Sequence, residues 1–459
     1  MINNQLQHRL HLLGTAAISA MIFGSAAVYV TPVQAQSAVN WVHCANEGGT
    51  CNFSGVKNLR YGANGRSSYK TMAGPVACTN AVFGDPYRGT YKYCDYAESV
   101  TPTPAPAAAP APAATPAAAP GSRDALKSPF ASNSIWNMPI GSGANYVAAN
   151  LPAVPGGDIW SPMPMIDDER IVLRPTATMT PINYSDAGWT GKNRCNATGG
   201  QLISVPIPSD YVVPNSNANE SAVFLLADGR TLVQTQPFTR CSAGGPATSY
   251  VKFNSVDLYG PGITGSHGGS GLSAIGGSIR VGELRPNSQG PRHALKVVVY
   301  GKQSLFRCTT SSQCYRWPAV QADGYAVGFY GTNGNNTNAA MKMGALLAIP
   351  ASRDLGGLGL ETEPGKQLAW TLQNYGAYIV DDTYSPSFGF AAEEGPDGSL
   401  RKQFQGDYGY PLAQRVNGNT PWTRDVQRLH QALYVVDNNG PNSIGGGGTP
   451  RQPLAPALQ

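Results

Sequence analysis

The chain has 459 residues, of which 13% are charged, with a net charge of +5 and abundant Gly (54), Pro (37) and Tyr (22). A charged fraction about half that of ordinary globular proteins, with no run of Lys or Arg, argues against nucleic acid as a partner. The Gly/Pro/Tyr-rich mixture argues against a helical bundle and for turn-rich β structure.

Residues 1–35 read as an export signal. Arg9, between His8 and His11, gives a basic start, residues 12–30 are mostly apolar or small, and Val33-Gln34-Ala35 fits a small-x-small cleavage site. The competing reading, a membrane anchor, is weakened by Gly14, Ser19, Gly24 and Ser25 inside the apolar run. No later stretch has the roughly 18 consecutive apolar residues of a membrane helix. The expectation is a secreted protein, extracellular or periplasmic, that leaves the membrane after signal cleavage and is a monomer.

Residues 36–98 form a small module with four cysteines, Cys44, Cys51, Cys78 and Cys94. A core this small needs covalent staples. Short strands are expected at Asn58–Gly62, Ser68–Thr71 and Val76–Cys78. The four cysteines allow three pairings, of which Cys44–Cys51 with Cys78–Cys94 is preferred. Residues 99–122 are low-complexity Pro/Ala, an extended spacer between modules.

Residues 123–437 suffice for one large domain. Strand signals recur at 201–205, 222–226, 231–235, 294–300 and 345–349, and Ala227-Asp228-Gly229-Arg230 is a hairpin turn. A helix is expected from Thr362 or Glu363, with Pro364 in its first turn, Leu368, Leu372 and Tyr375 on one face and Gly376 closing it. A second helix is expected from Trp422 to Leu433. Cys195 is expected to pair with Cys241, and Cys308 with Cys314. No long alternation of strand and helix is present, so the fold class is mainly β: a large β-sandwich or jelly-roll-like domain with a few helices, plus the small disulfide-stapled β module. Residues 438–459 form a Gly/Pro-rich tail, either an extended strap or disordered.

The run from Trp41 to Gly55, WVHCANEGGTCNFSG, with RYGA from Arg60 and FGDP from Phe83, resembles small accessory domains attached to secreted polysaccharide-degrading enzymes. That resemblance implies binding of a polysaccharide or cell-wall glycan. Trp41, Tyr61, Tyr69, Tyr87, Tyr91, Tyr93 and Tyr96 are candidates to stack on sugar rings, several of them competing with a role in the core. In the large domain, the GxIRxxEL pattern ending at Leu284, then RHALK, YRWPA, MGALLAIP and YGAYIVDD, resembles a widespread group of secreted bacterial proteins across most of residues 129–437. The group implies location and modularity rather than a particular chemistry.

The densest candidate stretch is 265–296, which concentrates glycine with His267, Arg280, Glu283, Arg292 and His293. Regular alternation puts Arg280 and Glu283 on opposite faces, so a shared site requires a bulge. Glycoside hydrolysis needs two carboxylates. Glu283 is the first candidate and Asp323 the second, with Asp168 and Asp382 in reserve. A salt bridge from Glu283 to Arg280 or Arg292, and a turn cap for Asp323, are the structural alternatives. A lyase acting on a uronate polymer would need an Arg neutraliser and a His or Tyr base, which Arg280, Arg292, His293, His267 and Tyr325 could supply. Trp317 is a further substrate-binding candidate. A third reading is a non-catalytic glycan-binding surface protein.

The GxSxG and HExxH patterns are absent, no phosphate loop is present, and a cleaved chain would begin with Gln36 rather than a copper-binding histidine. A His267/His293 metal pair with Glu283 stays open as a minor alternative. No cofactor is expected.

Overall fold

A computed structural model describes residues 41–64, 66–97, 122–154, 156–159 and 168–458. The export signal and all but the last residue of the Pro/Ala spacer lie outside the described residues, and of Asp168 only the backbone is described. Two units divide the chain, 1–111 and 112–459. The protein is mainly β, with 30% strand against 14% helix among the described residues. Among the described residues no helix is long and apolar enough to cross a membrane.

The small unit is a four-stranded antiparallel sheet of β1 (Trp41–Asn46), β2 (Val56–Ala63), β3 (Arg66–Ala73) and β4 (Tyr93–Ala97) in the order β1-β4-β2-β3. Its core is Leu59, Tyr61, Val76, Phe83 and the sulfurs of Cys51, Cys78 and Cys94. The preferred pairing holds: Cys44 bonds Cys51 and Cys78 bonds Cys94. In the large unit Cys195 bonds Cys241 and Cys308 bonds Cys314, as their spacing suggests.

The large unit is layered, and strand alternation explains how. One sheet is built on β5 (Asp168–Val172), β8 (Ala222–Leu225), β9 (Thr231–Gln236) and β15 (Ala392–Gly395). A second, of eight strands, has at its centre β11 (Leu295–Val299), β12 (Leu346–Ala348), β13 (Ala377–Asp382), β14 (Ser387–Phe390) and β16 (Tyr434–Val436). A third is β6 (Met179–Tyr184), β7 (Gln201–Pro206) and β10 (Ala247–Ser249). Alternate side chains serve alternate layers. Val298, Tyr378 and Val380 of the eight-stranded sheet meet Ile171, Val223, Leu225 and Leu232 of the first sheet. The other faces of those first-sheet strands, Val172, Phe224 and Val233, meet Ile182 and Val205 of the third. On the far side of the eight-stranded sheet, Val297, Val299 and Ile379 pack against three helices. Each fully buried Val or Ile here contributes roughly 1.5–3 kcal/mol relative to exposure.

Those helices are α1 (Glu363–Asn374), α2 (Leu400–Tyr408) and α3 (Pro421–Gln431). Thr362 caps α1, its side chain accepting from the Gly365 N–H, and Gly376 follows the helix at φ +75°. Sequence reading does not foresee α2, capped by Ser399 and closed by Gly409. The sheets are mixed rather than wholly antiparallel: β11 runs parallel to β13, and β5 parallel to β8 and β15. The tail is a strap. Gly141 and Gly143 donate to the carbonyls of Gly445 and Gly447, at 2.9 Å each, and residues 457–458 pair with residues 122–123. A Cβ on Gly446 would come within 2.5 Å of the Ala144 Cα, which is why this segment is glycine.

Candidate functional site

Strand β13 ends in two consecutive aspartates. A bulge interrupts its register with β11, where Val297 and Val298 pair with Ile379 and Asp381 and Val380 is the extra residue. Bulges of this kind re-aim side chains beside active sites. Both Asp381 and Asp382 line a cleft of about 780 Å³ together with Asp323 and Tyr325 from the loop after Trp317. The cleft floor is Gly268-Gly269. A Cβ on either glycine would lie within 3 Å of the Asp381 carboxylate, so the glycines are there to admit a carboxylate.

Asp382 accepts from the Gly301 N–H at 2.6 Å and from the Tyr325 hydroxyl at 3.0 Å. Asp381 accepts from Asn219 Nδ2 at 2.8 Å and from the Asp382 N–H at 2.9 Å. Asp323 accepts from the Tyr330 hydroxyl. Burial, with the nearby Asp382 charge adding to it, pushes Asp323 up to about 6. Burial also raises Asp382, opposed by its hydrogen bonds. Burial and these carboxylates hold Tyr325 and Tyr330 firmly protonated. Two carboxyl groups in one cleft, one of them raised to about 6, are the condition for an acid and a base in one site.

Aromatic side chains border the cleft. Trp189 packs edge-on to Tyr250 with ring centroids 5.9 Å apart and donates to Asn219 Oδ1 at 2.9 Å. Tyr325 and Tyr384 meet edge-on at 5.5 Å, and Tyr384 stacks on Phe329 at 4.9 Å. Tyr384 is 61% exposed and sits at φ +55°, a left-handed conformation that a bulky residue adopts only where the surroundings enforce it. Gln236 also lines the cleft. It is 2% exposed, and its Nε2 has no hydrogen-bond partner in the protein.

His267 lies just below the floor, 1% exposed. Its Nδ1 is 3.7 Å from Asp381 Oδ2 and its Nε2 is 3.1 Å from Glu169 Oε1, close but not aligned as hydrogen bonds. Lys296, fully buried, donates to Glu169 Oε1 at 2.7 Å. Burial, reinforced by Lys296, holds His267 neutral. A chain of ionisable groups thus runs from the interior to the cleft floor.

The other candidates of the Gly-rich stretch lie elsewhere. Arg280–Glu283 is a tight turn rather than a strand, with Gly282 at φ +100°. Glu283 Oε2 accepts from the Arg280 N–H at 2.7 Å and meets His293 Nε2 at 3.1 Å. Arg280 is held by both oxygens of Glu393, at 2.9 and 3.2 Å. Burial lowers His293, and the Glu283 carboxylate more than offsets it, so the imidazole is raised above its ordinary value. The space beside Arg280 and His293 is about 10 Å³, no more than one water. Glu283 is therefore a turn-capping, ion-paired residue that does not share the cleft with Asp323. His267 and His293 have separate partners, which removes the proposed metal pair with Glu283. Among the described residues no cluster of three or more His, Cys, Asp or Glu has the arrangement of a metal site. Arg292 stacks on Trp370 at 4.8 Å, and Trp317 packs against the core between the two larger sheets. Among the described residues the cleft lining includes no Lys, Arg or His, so the Arg neutraliser of the lyase reading has no counterpart there.

In the small unit Tyr61 is fully buried, its hydroxyl donating to Glu47 at 2.6 Å, so it is a core residue and not a sugar platform. Trp41 and Tyr69 share the opposite face at 5.9 Å, with the Arg60 guanidinium over Trp41 at 4.8 Å. Asp95 joins Arg60 at 2.7 Å to His43 at 3.2 Å on that face. Tyr93 lies against His43, Tyr87 under Arg66, Tyr96 under Lys57, and Tyr91 is exposed.

Sequence reading missed Asp381, Trp189, Tyr250, Tyr384 and Gln236. The adjacent Asp381-Asp382 at the end of an apolar strand was the one local signal available. Models of protein families, curated proteins and solved structures were all compared with this chain, and none matches.

Proposed function

We propose that the protein is a secreted glycoside hydrolase whose acid and second carboxylate are Asp323 and Asp382. The observation that carries this reading is the pair itself: Asp323 and Asp382 line one cleft, and burial, with the Asp382 charge adding to it, raises Asp323 to about 6. Asp323 is protonated on the acid side of that value and gives its proton to the glycosidic oxygen. Asp382, oriented by Gly301 and Tyr325, acts on the sugar from within the same cleft, as base toward water or as nucleophile. Asp381 is the third carboxylate, oriented by Asn219. The aromatic borders supply flat apolar surface to sugar rings. On this reading the small module holds the same polymer through Trp41 and Tyr69, raising its effective concentration at the cleft.

The test is release of reducing ends from a panel of soluble polysaccharides, read beside ultraviolet absorbance from unsaturated uronates. Reducing ends without that absorbance support the proposal. Both signals together mean a lyase, and neither signal with retained pull-down means a binding protein.

A further inference from the structure

The contacts across the cleft form an ordered string. Tyr250 packs on Trp189, Trp189 donates to Asn219, Asn219 donates to Asp381, Asp381 accepts from the backbone of Asp382, and Asp382 accepts from Tyr325, which packs on Tyr384. The string thus has an aromatic pair at each end, Trp189/Tyr250 and Tyr325/Tyr384, with the two carboxylates at its middle. All four rings have substantial exposed surface, 42–61%. A site built to trim one chain end needs a single stacking wall and a closed end. An aromatic pair at each end of the string fits a chain that continues past the carboxylates in both directions.

The lining also fixes the charge of that chain. Among the described residues it carries Asp323, Asp381 and Asp382 and no Lys, Arg or His. A uronate, sulfate or phosphate entering would meet like charge at short range with no cation to neutralise it, whereas hydroxyl groups can donate to all three carboxylates. Gln236 Nε2 adds an independent sign of a ligand: a donor, 2% exposed and on the lining, that no protein acceptor satisfies. A sugar hydroxyl oxygen is an acceptor of the kind it lacks.

We infer that the cleft takes an uncharged glycan polymer, seats sugar units on Trp189/Tyr250 and on Tyr325/Tyr384, and is cut across internally. This rests on the hydrolase reading of the cleft but is tested apart from it.

The experiment uses the full chain carrying Asp323→Asn, with Trp41→Ala and Tyr69→Ala to silence the small module, in affinity electrophoresis against xylan, glucomannan, mixed-linkage β-glucan and dextran as uncharged probes, and alginate and polygalacturonate as anionic ones. Retention by at least one uncharged polymer is expected, with a dissociation constant at least about tenfold weaker when Trp189→Ala or Tyr384→Gly is added. Tyr384→Gly suits the positive φ at that position, so it guards against a folding defect. Trp189-dependent retention by an anionic polymer only, retention insensitive to both aromatic substitutions, or no retention at all each overturns the inference. The same polymer treated with wild type should lose viscosity before reducing ends accumulate, and the reverse order overturns internal cutting. Trp189-dependent binding without any cleavage removes the hydrolase reading and leaves the substrate class standing. Cleavage of a polyuronate with release of reducing ends and without the absorbance of unsaturated uronates does the opposite.

Discussion

The Asp323–Asp381–Asp382 cleft and the Arg280–Glu283–His293 cluster are built from the same materials, ionisable side chains beside glycine turns, and they differ in how charge is balanced. In the cluster each charge has a partner: Glu283 has His293 and Arg280 has Glu393. In the cleft three carboxylates face an open volume whose lining carries no cation, and two of them are raised by burial. Matched charge in a space no larger than one water reads as structure. Three carboxylates around about 780 Å³, with no described cation on the lining, read as chemistry kept ready for a ligand.

The comparison breaks most sharply at Asp323. Asp323→Asn should lower the rate of reducing-end release by roughly 10³-fold, within the 10²–10⁴ range of a general acid, with the fold intact by circular dichroism. A loss below tenfold would move the acid elsewhere.

The second test is the buried chain behind the floor. Lys296→Met leaves Glu169 without its cation where both are 0% exposed, and breaking such a pair costs about 3–5 kcal/mol. Urea denaturation should register that loss, and a loss below about 1 kcal/mol would contradict the assigned pairing.

Third, Asp323→Asn should stabilise the protein in a pH-dependent way. The folded carboxyl, at about 6, holds its proton more tightly than an ordinary aspartyl near 3.8. The native state thus binds more protons between those values, and stability falls as pH rises through that window and stays lower above it. Removing the group should raise stability by up to about 3 kcal/mol at pH 7.5 and by almost nothing at pH 3.5, read by thermal unfolding. An increase that is equal at both pH values would mean that the carboxyl is not raised.

The smallest effect is on the cluster side. Glu283→Gln should cost roughly 1–2 kcal/mol, because His293 loses the charge that raises it. A raised histidine contributes stability below its unfolded value and loses it as pH rises through the folded one. The penalty should therefore be fullest at pH 5.5 and shrink toward alkaline pH. A penalty that grows with pH would reverse the assignment.

Much of the framework was legible in the sequence because it is locally encoded. Thr362, Pro364 and Gly376 mark α1, Gly229 marks the turn between β8 and β9, and the cysteine spacing marks the disulfides. Helix α2 escaped because only Leu400 and Phe404 of its nine residues are buried, too few to show a period. The parallel pairing of β11 with β13 depends on a crossover of more than 70 residues, which no window of sequence reveals. The site was half legible. Asp323, Tyr325 and Asp382 are within reach of the sequence, but Glu283 draws attention through its company in a Gly-rich run, of which His293 is its ion-pair partner while Arg280 pairs with Glu393. Trp189, Gln236 and Tyr250 reach the cleft only through the layering of sheets, and Asp381 only through the bulge at Val380.

The most direct measurement sets Asp382→Asn beside Glu283→Gln on one uncharged polysaccharide and compares initial rates of reducing-end release. Charge imbalance as the mark of the working site predicts Asp382→Asn below about one-thousandth of wild type and Glu283→Gln within twofold of it. Near-normal rates for the first with a collapse for the second would contradict it.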